Sequence, residues 1–501
     1  MRKYRGTIIR TLLAVILIAL MVLPASMVYA ETPVSVSTVL ASVSAYGIGD
    51  AFQHHSFIDS GVTWAFYLDN INSQINGLWS EDGRTFTPLA APIHYCYGGI
   101  TCAGAQFDTW WDVNSDTVHF VIVNSSVNNS PILYAKYTVA AHAHTLTLSG
   151  AWETVVAGIA NVSYRTPTIC VTNNETPFIT YGYNINGSSD VYLTATNNST
   201  SWVNPVGLPM HNLSVNASRP TEFGSVIPYA TATNNVSIQY AEYNGSVYKI
   251  KQQGIEWNGL TWAANTSDNI DTSEWYLYGG FEDDYNAVSI PTGVNTNDVA
   301  VQCLQTNNSS YRVFFNRKGA AGANEWNSTW ARNFGAGNTT VYQSVGAMGI
   351  RSTAYNLVYS AWTMGDNWIY SNDYSLTTGN WSGLAKVYND SLYVPLYNTM
   401  ATYKQDFSGA GYTGFLYGSV TTDALRYGQY GTVASSVTKV PASVDMMAWV
   451  VILVFGALIC LVMLAIGASQ AIRGGSTELV KAGLVGIITL IIVATIVAAT
   501  L

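Results

Sequence analysis

Three hydrophobic patterns divide the chain. A basic start with Arg2, Lys3, Arg5 and Arg10 leads into an apolar run over 12–23, and small residues follow up to Val28-Tyr29-Ala30. This is the order of a secretory signal cleaved after Ala30, with a retained N-terminal anchor as the other reading of the same run. Near the opposite end, 446–468 and 482–501 are unbroken by charge. The first is long enough to cross about 30 Å of hydrocarbon as a helix, and the second is just long enough. Arg473, Glu478 and Lys481 lie between them, so the positive-inside rule predicts a cytoplasmic connection and an external body. Gly456, Ala457, Gly467, Gly483 and Gly486 leave room for close helix contact in lipid.

Between these ends helical periodicity is scarce. Short β-rich runs recur, each ended by Asn, Gly, Asp or Ser. One kind ends in Asn, at 63–70, 118–124, 178–184 and 299–307. A second kind is expected after each turn, with near copies in Tyr134-Ala135-Lys136-Tyr137 and Tyr240-Ala241-Glu242-Tyr243. A closing aromatic then recurs at Phe86, Trp152, Trp202, Trp262, Trp330 and Trp381, with gaps of 50 to 68 residues. That period is near the length of a four-stranded propeller blade. A lone small sheet cannot bury both its faces, whereas radial stacking covers them and leaves short edges. The pattern therefore predicts an all-β ectodomain folded as a six- or seven-bladed β-propeller, the seventh blade coming from 392–427. A pair of β-sandwiches is the competing architecture. The predicted organisation is a signal peptide at 1–30, a linker at 31–50, the propeller at 51–432, a juxtamembrane linker at 433–445 and a two-helix transmembrane hairpin at 446–501.

Composition narrows the partners. Charged residues make up 10% of the chain, and the net charge is −9. No basic stripe exists to neutralise phosphates, which excludes nucleic acid as an expected partner. Eighteen Asn-x-Ser/Thr sites fall between Asn124 and Asn389. In an exported chain these are expected glycan acceptors, among them Asn124, Asn161, Asn174, Asn186, Asn212, Asn216, Asn244, Asn265, Asn327, Asn338, Asn380 and Asn389. Cys96 and Cys102 bracket a Gly-containing loop and are positioned for a short disulfide in an oxidising compartment. Cys170 and Cys303 sit in apolar strand-like runs and are expected as buried thiols, and Cys460 lies in a predicted membrane span.

Three segments carry a family resemblance. Ser80-Glu81-Asp82-Gly83-Arg84-Thr85-Phe86 resembles the Asp-box of sialidase-type propellers, one residue short between Asp and Gly. Ser371-Asn372-Asp373-Tyr374-Ser375-Leu376-Thr377 resembles it without the Gly, and Ala195–Trp202 keeps its register and the aromatic. The Asp-box is a structural turn, so the resemblance implies a fold more than an activity. Sialidases also use three arginines, a Tyr–Glu pair and an Asp. Tyr164-Arg165-Thr166-Pro167 is similar to the motif of their first arginine but falls in the third unit, with Arg219 and Arg351 as the other candidates. The low charge, the wealth of Tyr, Asn and Thr, and the sequon density resemble exported proteins of thermoacidophilic archaea and envelope proteins of their viruses.

Two kinds of chemistry follow. Asp108, Asp112 and the 282–284 acids, with Asp283 central, are candidate glycosidase carboxylates, for which the distance between partners decides the mechanism. Asp108-Thr109-Trp110-Trp111-Asp112 is the candidate binding segment, because aromatic faces stack on sugars and acids accept hydroxyl hydrogen bonds. Strand alternation sends Trp110 and Trp111 to opposite faces, so one of them at most reaches a ligand. His54, His55, His142 and His144 lack the companions of a metal site and are expected as surface strand residues. No cofactor or metal is expected. The expected whole is a membrane-anchored glycoprotein of a cell surface or virion envelope. Its expected role is adhesion, receptor binding or carbohydrate binding, with a tethered sialidase-like glycosidase as the alternative. Membrane lipid, surface glycans or a protein receptor, and a second copy of the chain are the expected partners.

Overall fold

The computed structural model describes 35–40, 53–69, 72–95, 105–124, 129–185, 188–195, 202, 206–208, 224–229, 235–243, 246–264, 268–270, 276–277, 285–289, 299–307, 311–318, 332–338, 344–352, 357–363, 368–375, 385–389, 400–402, 412–419 and 424–431. The chain divides into compact units at Ala434 and Ser435, close to the expected end of the ectodomain. Both expected membrane spans lie outside the described residues. Among the described residues no helix is long and apolar enough to cross a membrane.

The described part of the first unit is built of antiparallel sheets. A single strand, β1 (Ser35–Leu40), comes first. The first sheet holds β2 (Ser56–Asp59), β3 (Val62–Asp69), β4 (Gln74–Ser80), β5 (Thr87–Pro88) and β6 (His94–Tyr95). The second holds β7 (Ala105–Asp112), β8 (Thr117–Asn124), β9 (Ile132–Ala140), β10 (Thr145–Leu148) and β11 (Glu153–Val156). The third is β12 (Val162–Val171), β13 (Pro177–Ile185) and β14 (Ser188–Ala195). The fourth contains two meanders. Its first is β15 (Gly224–Pro228), β16 (Val236–Tyr243), β17 (Tyr248–Trp257), β18 (Trp262–Ala264) and β19 (Asp268–Asn269). The two-residue β20 (Tyr276–Leu277) bridges to the second, β21 (Tyr285–Ser289), β22 (Val299–Thr306), β23 (Tyr311–Lys318) and β24 (Arg332–Asn338). The fifth sheet is β25 (Ser344–Ser352), β26 (Leu357–Thr363), β27 (Trp368–Ser375) and β28 (Ala385–Asn389). The last is β29 (Met400–Thr402), β30 (Tyr412–Ser419) and β31 (Ala424–Gly431), with β1 hydrogen-bonded outside β31.

Within the expected linker at 31–50, residues 35–40 are described and form β1. Ser35 faces Gln429 and Thr38 faces Arg426 across the ladder, so this Ser/Thr/Val alternation completes a sheet supplied from the far end of the unit. The first strands of successive meanders lie side by side: β7 against β12, β12 against β15, β15 against β21, β21 against β25, and β25 against β29. β2 contacts β30, and Thr109 N donates to His54 O at 3.0 Å just ahead of β2, so the succession returns to its start.

The second strands explain why the sheets stack. β3 and β8 are buried along nearly their whole length, on both faces. Trp64, Phe66 and Leu68 join Phe107, Trp111 and Phe120 in one core, with Phe57 stacked on Trp111 at 4.6 Å. The opposite face of β3, Ala65 and Tyr67, meets Leu416, Leu425 and Tyr427 of the last sheet. Trp110, Val121 and Tyr134 face the third sheet, which in turn packs on Val226, Ile238 and Tyr240. Fully burying one such side chain stabilises the fold by about 1.5–3 kcal/mol, and the first two sheets bury several on both faces.

The closing aromatics share one environment where they are described. Each follows the third strand of its meander and touches the preceding sheet. Phe86 meets Tyr427 at 5.3 Å, Trp152 meets His94 at 4.3 Å, Trp202 meets Tyr134 at 5.2 Å and Trp262 meets Phe178 at 4.8 Å. Trp330 and Trp381 lie outside the described residues. The Tyr-Ala-x-Tyr copies are not equivalent, however: Tyr134 is in a third strand and Tyr240 in a second.

The turn before Phe86 is tied by Asp82. Its Oδ1 accepts from Arg84 N at 2.8 Å and Thr85 N at 2.7 Å, and Ser80 Oγ donates to it at 2.9 Å. A second turn with the same geometry stands before Trp262. Asn258 Oδ1 accepts from Leu260 N at 2.9 Å and Thr261 N at 2.8 Å. Gly83 and Gly259 follow these side chains with φ of +64° and +94°, the left-handed region that suits glycine. By contrast, 371–375 is strand β27, so the turn expected there is absent from those residues. Of 195–202, only Ala195 and Trp202 are described. Asp82→Ala and Asn258→Ala should each cost about 1 kcal/mol, the ordinary worth of such hydrogen bonds. Denaturant midpoints of the two variants test the equivalence, and a neutral Asn258→Ala would contradict it.

Candidate functional site

The acids and tryptophans of β7 are interior groups. Asp108 is fully buried between three sheets. Its carboxylate accepts from His54 N, from His54 Nδ1 at 2.9 Å and from Ile169 N at 2.8 Å. Neighbouring polar side chains make the same kind of stitch. Gln53 Nε2 donates to Pro167 O at 3.0 Å, Thr166 N donates to Gln106 Oε1 at 2.7 Å and Thr168 Oγ1 donates to Gly224 O at 3.2 Å. Trp110 and Trp111 do point to opposite faces, but both are buried, in the third-sheet and first-sheet cores respectively. The expected surface binding segment is therefore a set of core and seam residues, because both faces of its sheet are covered.

The remaining candidates divide. Arg165 is half-buried in β12, where its Nε lies 3.5 Å from Ser163 Oγ, beside a strand irregularity that puts Thr166 at φ +43°. Arg351 lies in β25, while Arg219 and Asp283 lie outside the described residues, as do Cys96 and Cys102. Cys170 and Cys303 are buried in strands, as expected. His54 and His55 are buried and not at the surface, His55 being stacked on Phe107 at 4.0 Å with its Nε2–H donating to Phe107 O at 2.8 Å. His142 and His144 sit at a 3-10 turn between β9 and β10, not in a strand. Among the described residues no group of three or more His, Cys, Asp or Glu is arranged to hold a metal ion. Asn161 and Asn174 stand exposed in turns, and Asn124, Asn338 and Asn389 end strands. The other expected acceptors (186, 212, 216, 244, 265, 327 and 380) lie outside the described residues.

Asp112 belongs to a buried polar chain. Ser115 Oγ donates to Asp112 Oδ2 at 2.7 Å and lies 2.6 Å from Thr117 Oγ1. Thr117 Oγ1 is 3.0 Å from His119 Nε2, and His119 Nδ1 is 2.7 Å from Tyr134 Oη. Burial pushes the Asp112 and Glu153 carboxyls and the Tyr134 phenol up, and it lowers His119 to about 3 with help from the nearby Lys136 charge. The cavity beside this chain is about 30 Å³. That holds a water molecule and excludes a sugar ring.

A much larger cleft opens between the first and second sheets. Its volume is about 740 Å³, within the range of small-molecule sites. One wall is the β5–β6 segment, with Leu89, Pro92, His94 and Tyr95; the other is Tyr137, His144, Thr145, Leu148 and Trp152. Trp152 tilts against His94, and Tyr137 Oη donates to Ile93 O at 2.7 Å, locking the two walls together. His144 stacks flat on Trp79 at 3.6 Å, with Nε2 3.1 Å from Glu81 Oε1 at the rim. Tyr95 is 66% exposed and Leu148 37%, so both stand ready for contact. Burial lowers His94 to about 4, which leaves it neutral at ordinary pH. Sequence reasoning named Trp152 only as a packing residue and missed Tyr95, Tyr137 and His94. The available signal was the run 85–107, which contains no Asp, Glu, Lys or Arg.

No family model matches the chain, and no curated protein matches it. Among solved structures it is similar to a polysaccharide lyase, Uly1, at 10% identity and TM-score 0.44, covering 78% of this chain and 92% of that one. A PL25 ulvan lyase bound to -[GlcA(1-4)Rha3S]- gives 9% identity and TM-score 0.46 over 78% and 95% of the two chains. A thermostable family-43 glycoside hydrolase gives 16% identity and TM-score 0.35 over 61% and 98%. At these TM-scores the likenesses carry no argument about substrate or chemistry.

The geometry of Asp108 makes a direct prediction. Asp108→Ala removes the acceptor of two buried backbone N–H groups, so it should destabilise the fold by about 3 kcal/mol or more. Denaturant unfolding measures this, and unchanged stability would contradict the seam role.

Proposed function

We propose that the chain is an exported, membrane-anchored glycoprotein whose ectodomain is a seven-bladed propeller that binds carbohydrate in the cleft between its first two blades. The seven meanders, their side-by-side first strands and the completion of the last sheet by β1 support the propeller reading. The signal-like start, the two charge-free C-terminal runs and the sequons support export and anchoring on a cell surface or virion envelope.

One observation carries the binding role: an open cleft of about 740 Å³ lined by Trp152, Tyr95, Tyr137, His94 and His144. Pyranose rings present an apolar C–H face that stacks on such aromatics, while imidazole and hydroxyl groups take the ring hydroxyls. Aromatic side chains also bring contact area at little conformational cost. Among the described residues the hydrolase alternative finds no comparable support. Asp108 is tied on both oxygens, and Asp112 opens onto a cavity the size of one water.

The test is saccharide binding by the full-length chain in a sugar-free detergent, on a glycan array and by calorimetry, beside a fluorogenic glycoside panel. Wild type should bind, Trp152→Ala should weaken binding at least ~10-fold, about 1.4 kcal/mol, and no glycoside should turn over. Binding untouched by Trp152→Ala would remove the cleft from the account.

A further inference from the structure

We propose that this cleft selects uncharged saccharides and rejects uronic, sialic and sulfated ones. The inference rests on the carbohydrate reading of the cleft and adds the class of ligand. Both walls come from stretches without formal charge: 85–107 on one side and 137–152 on the other contain no Asp, Glu, Lys or Arg. The lining residues are correspondingly Leu, Ala, Pro, Ile, Thr, Tyr, Trp and His.

The histidines do not change this balance. His94 is neutral at ordinary pH because burial disfavours its charged form. Any positive charge on His144 is matched by the Glu81 carboxylate 3.1 Å away. A carboxylate or sulfate entering the cleft would shed part of its hydration without meeting a counter-charge, which disfavours it. A neutral pyranose meets no such penalty. Its apolar face lies on Trp152 and Tyr95, and its hydroxyls exchange water for His94, Thr145 and the tyrosine hydroxyls. The selectivity is thus the reverse of an arginine-lined acid-sugar site.

The experiment measures binding to the full-length chain of neutral oligosaccharides (gluco-, manno-, galacto- and N-acetylglucosamine series) and of anionic ones (oligogalacturonate, sialyllactose, sulfated heparin fragments). At least one neutral series should bind ~10-fold or more tightly than every anionic one, and Trp152→Ala should abolish the difference. Tyr95→Ala, at an exposed position, should weaken neutral binding several-fold and serves where Trp152→Ala fails to fold. Leu148→Arg places a cation at the cleft and should improve anionic binding ~10-fold. Anionic preference in the wild type that Trp152→Ala removes would overturn this inference and leave the carbohydrate reading standing. No improvement in anionic binding by Leu148→Arg would also overturn it. Failure of both series to bind would overturn the carbohydrate reading together with it.

Discussion

Among the described residues the first three sheets bury apolar side chains on both faces, and the stacking follows from the need to cover both. A sheet of three or four strands with one face in water would expose Trp64, Phe66 and Phe120, or on the other side Tyr67, Val121 and Tyr134. Stacking sheets face to face buries these side chains on both sides, and the order of contacts along the chain runs from one meander to the next and back to the first. The four described closing aromatics join the same seams, each reaching back to the sheet before it. Buried polar groups act among the first strands, where Asp108, Gln53, Gln106 and Thr168 exchange hydrogen bonds between sheets. Apolar contact sets the stacking, and these stitches set its register.

The cleft is a by-product of that stacking. Where the first two sheets diverge, the short strands β5, β6, β10 and β11 leave a gap that the closing aromatic only partly fills. Trp152 packs one edge on His94 and Tyr137 and remains half-buried. A residue that elsewhere would complete a core here also floors a site. Its walls are neutral because the chain spends few charges: Lys136 and Glu153 line the separate small cavity beside Tyr134, and Glu81 stands against His144.

Much of the architecture was legible because its signal is repeated. The continuous apolar runs ending in Asn are second strands, and the four described aromatics of the spaced series close meanders. What was not legible depended on long-range pairing. Residues 35–40 look like a linker in isolation and become a strand only against β31. The Asn258 turn escaped notice because Asn replaces Asp while the hydrogen bonds stay the same. Asp108 and Trp110 looked like surface chemistry because local sequence carries no record of a neighbouring sheet. The cleft was hidden for the same reason: its two walls are some fifty residues apart and are recognisable only by their shared lack of charge.

The account depends most on β1 completing the last sheet, since that pairing joins the two ends of the stacked unit. Cysteines replacing Ser35 and Gln429, which face each other across the β1–β31 ladder, test it directly in the full-length chain. Oxidation should give a monomer with a 35–429 crosslink, seen as faster migration without reductant and mapped by mass spectrometry. Crosslinks only between molecules, or none at this pair, would contradict the closure and with it the stacking on which the cleft is built.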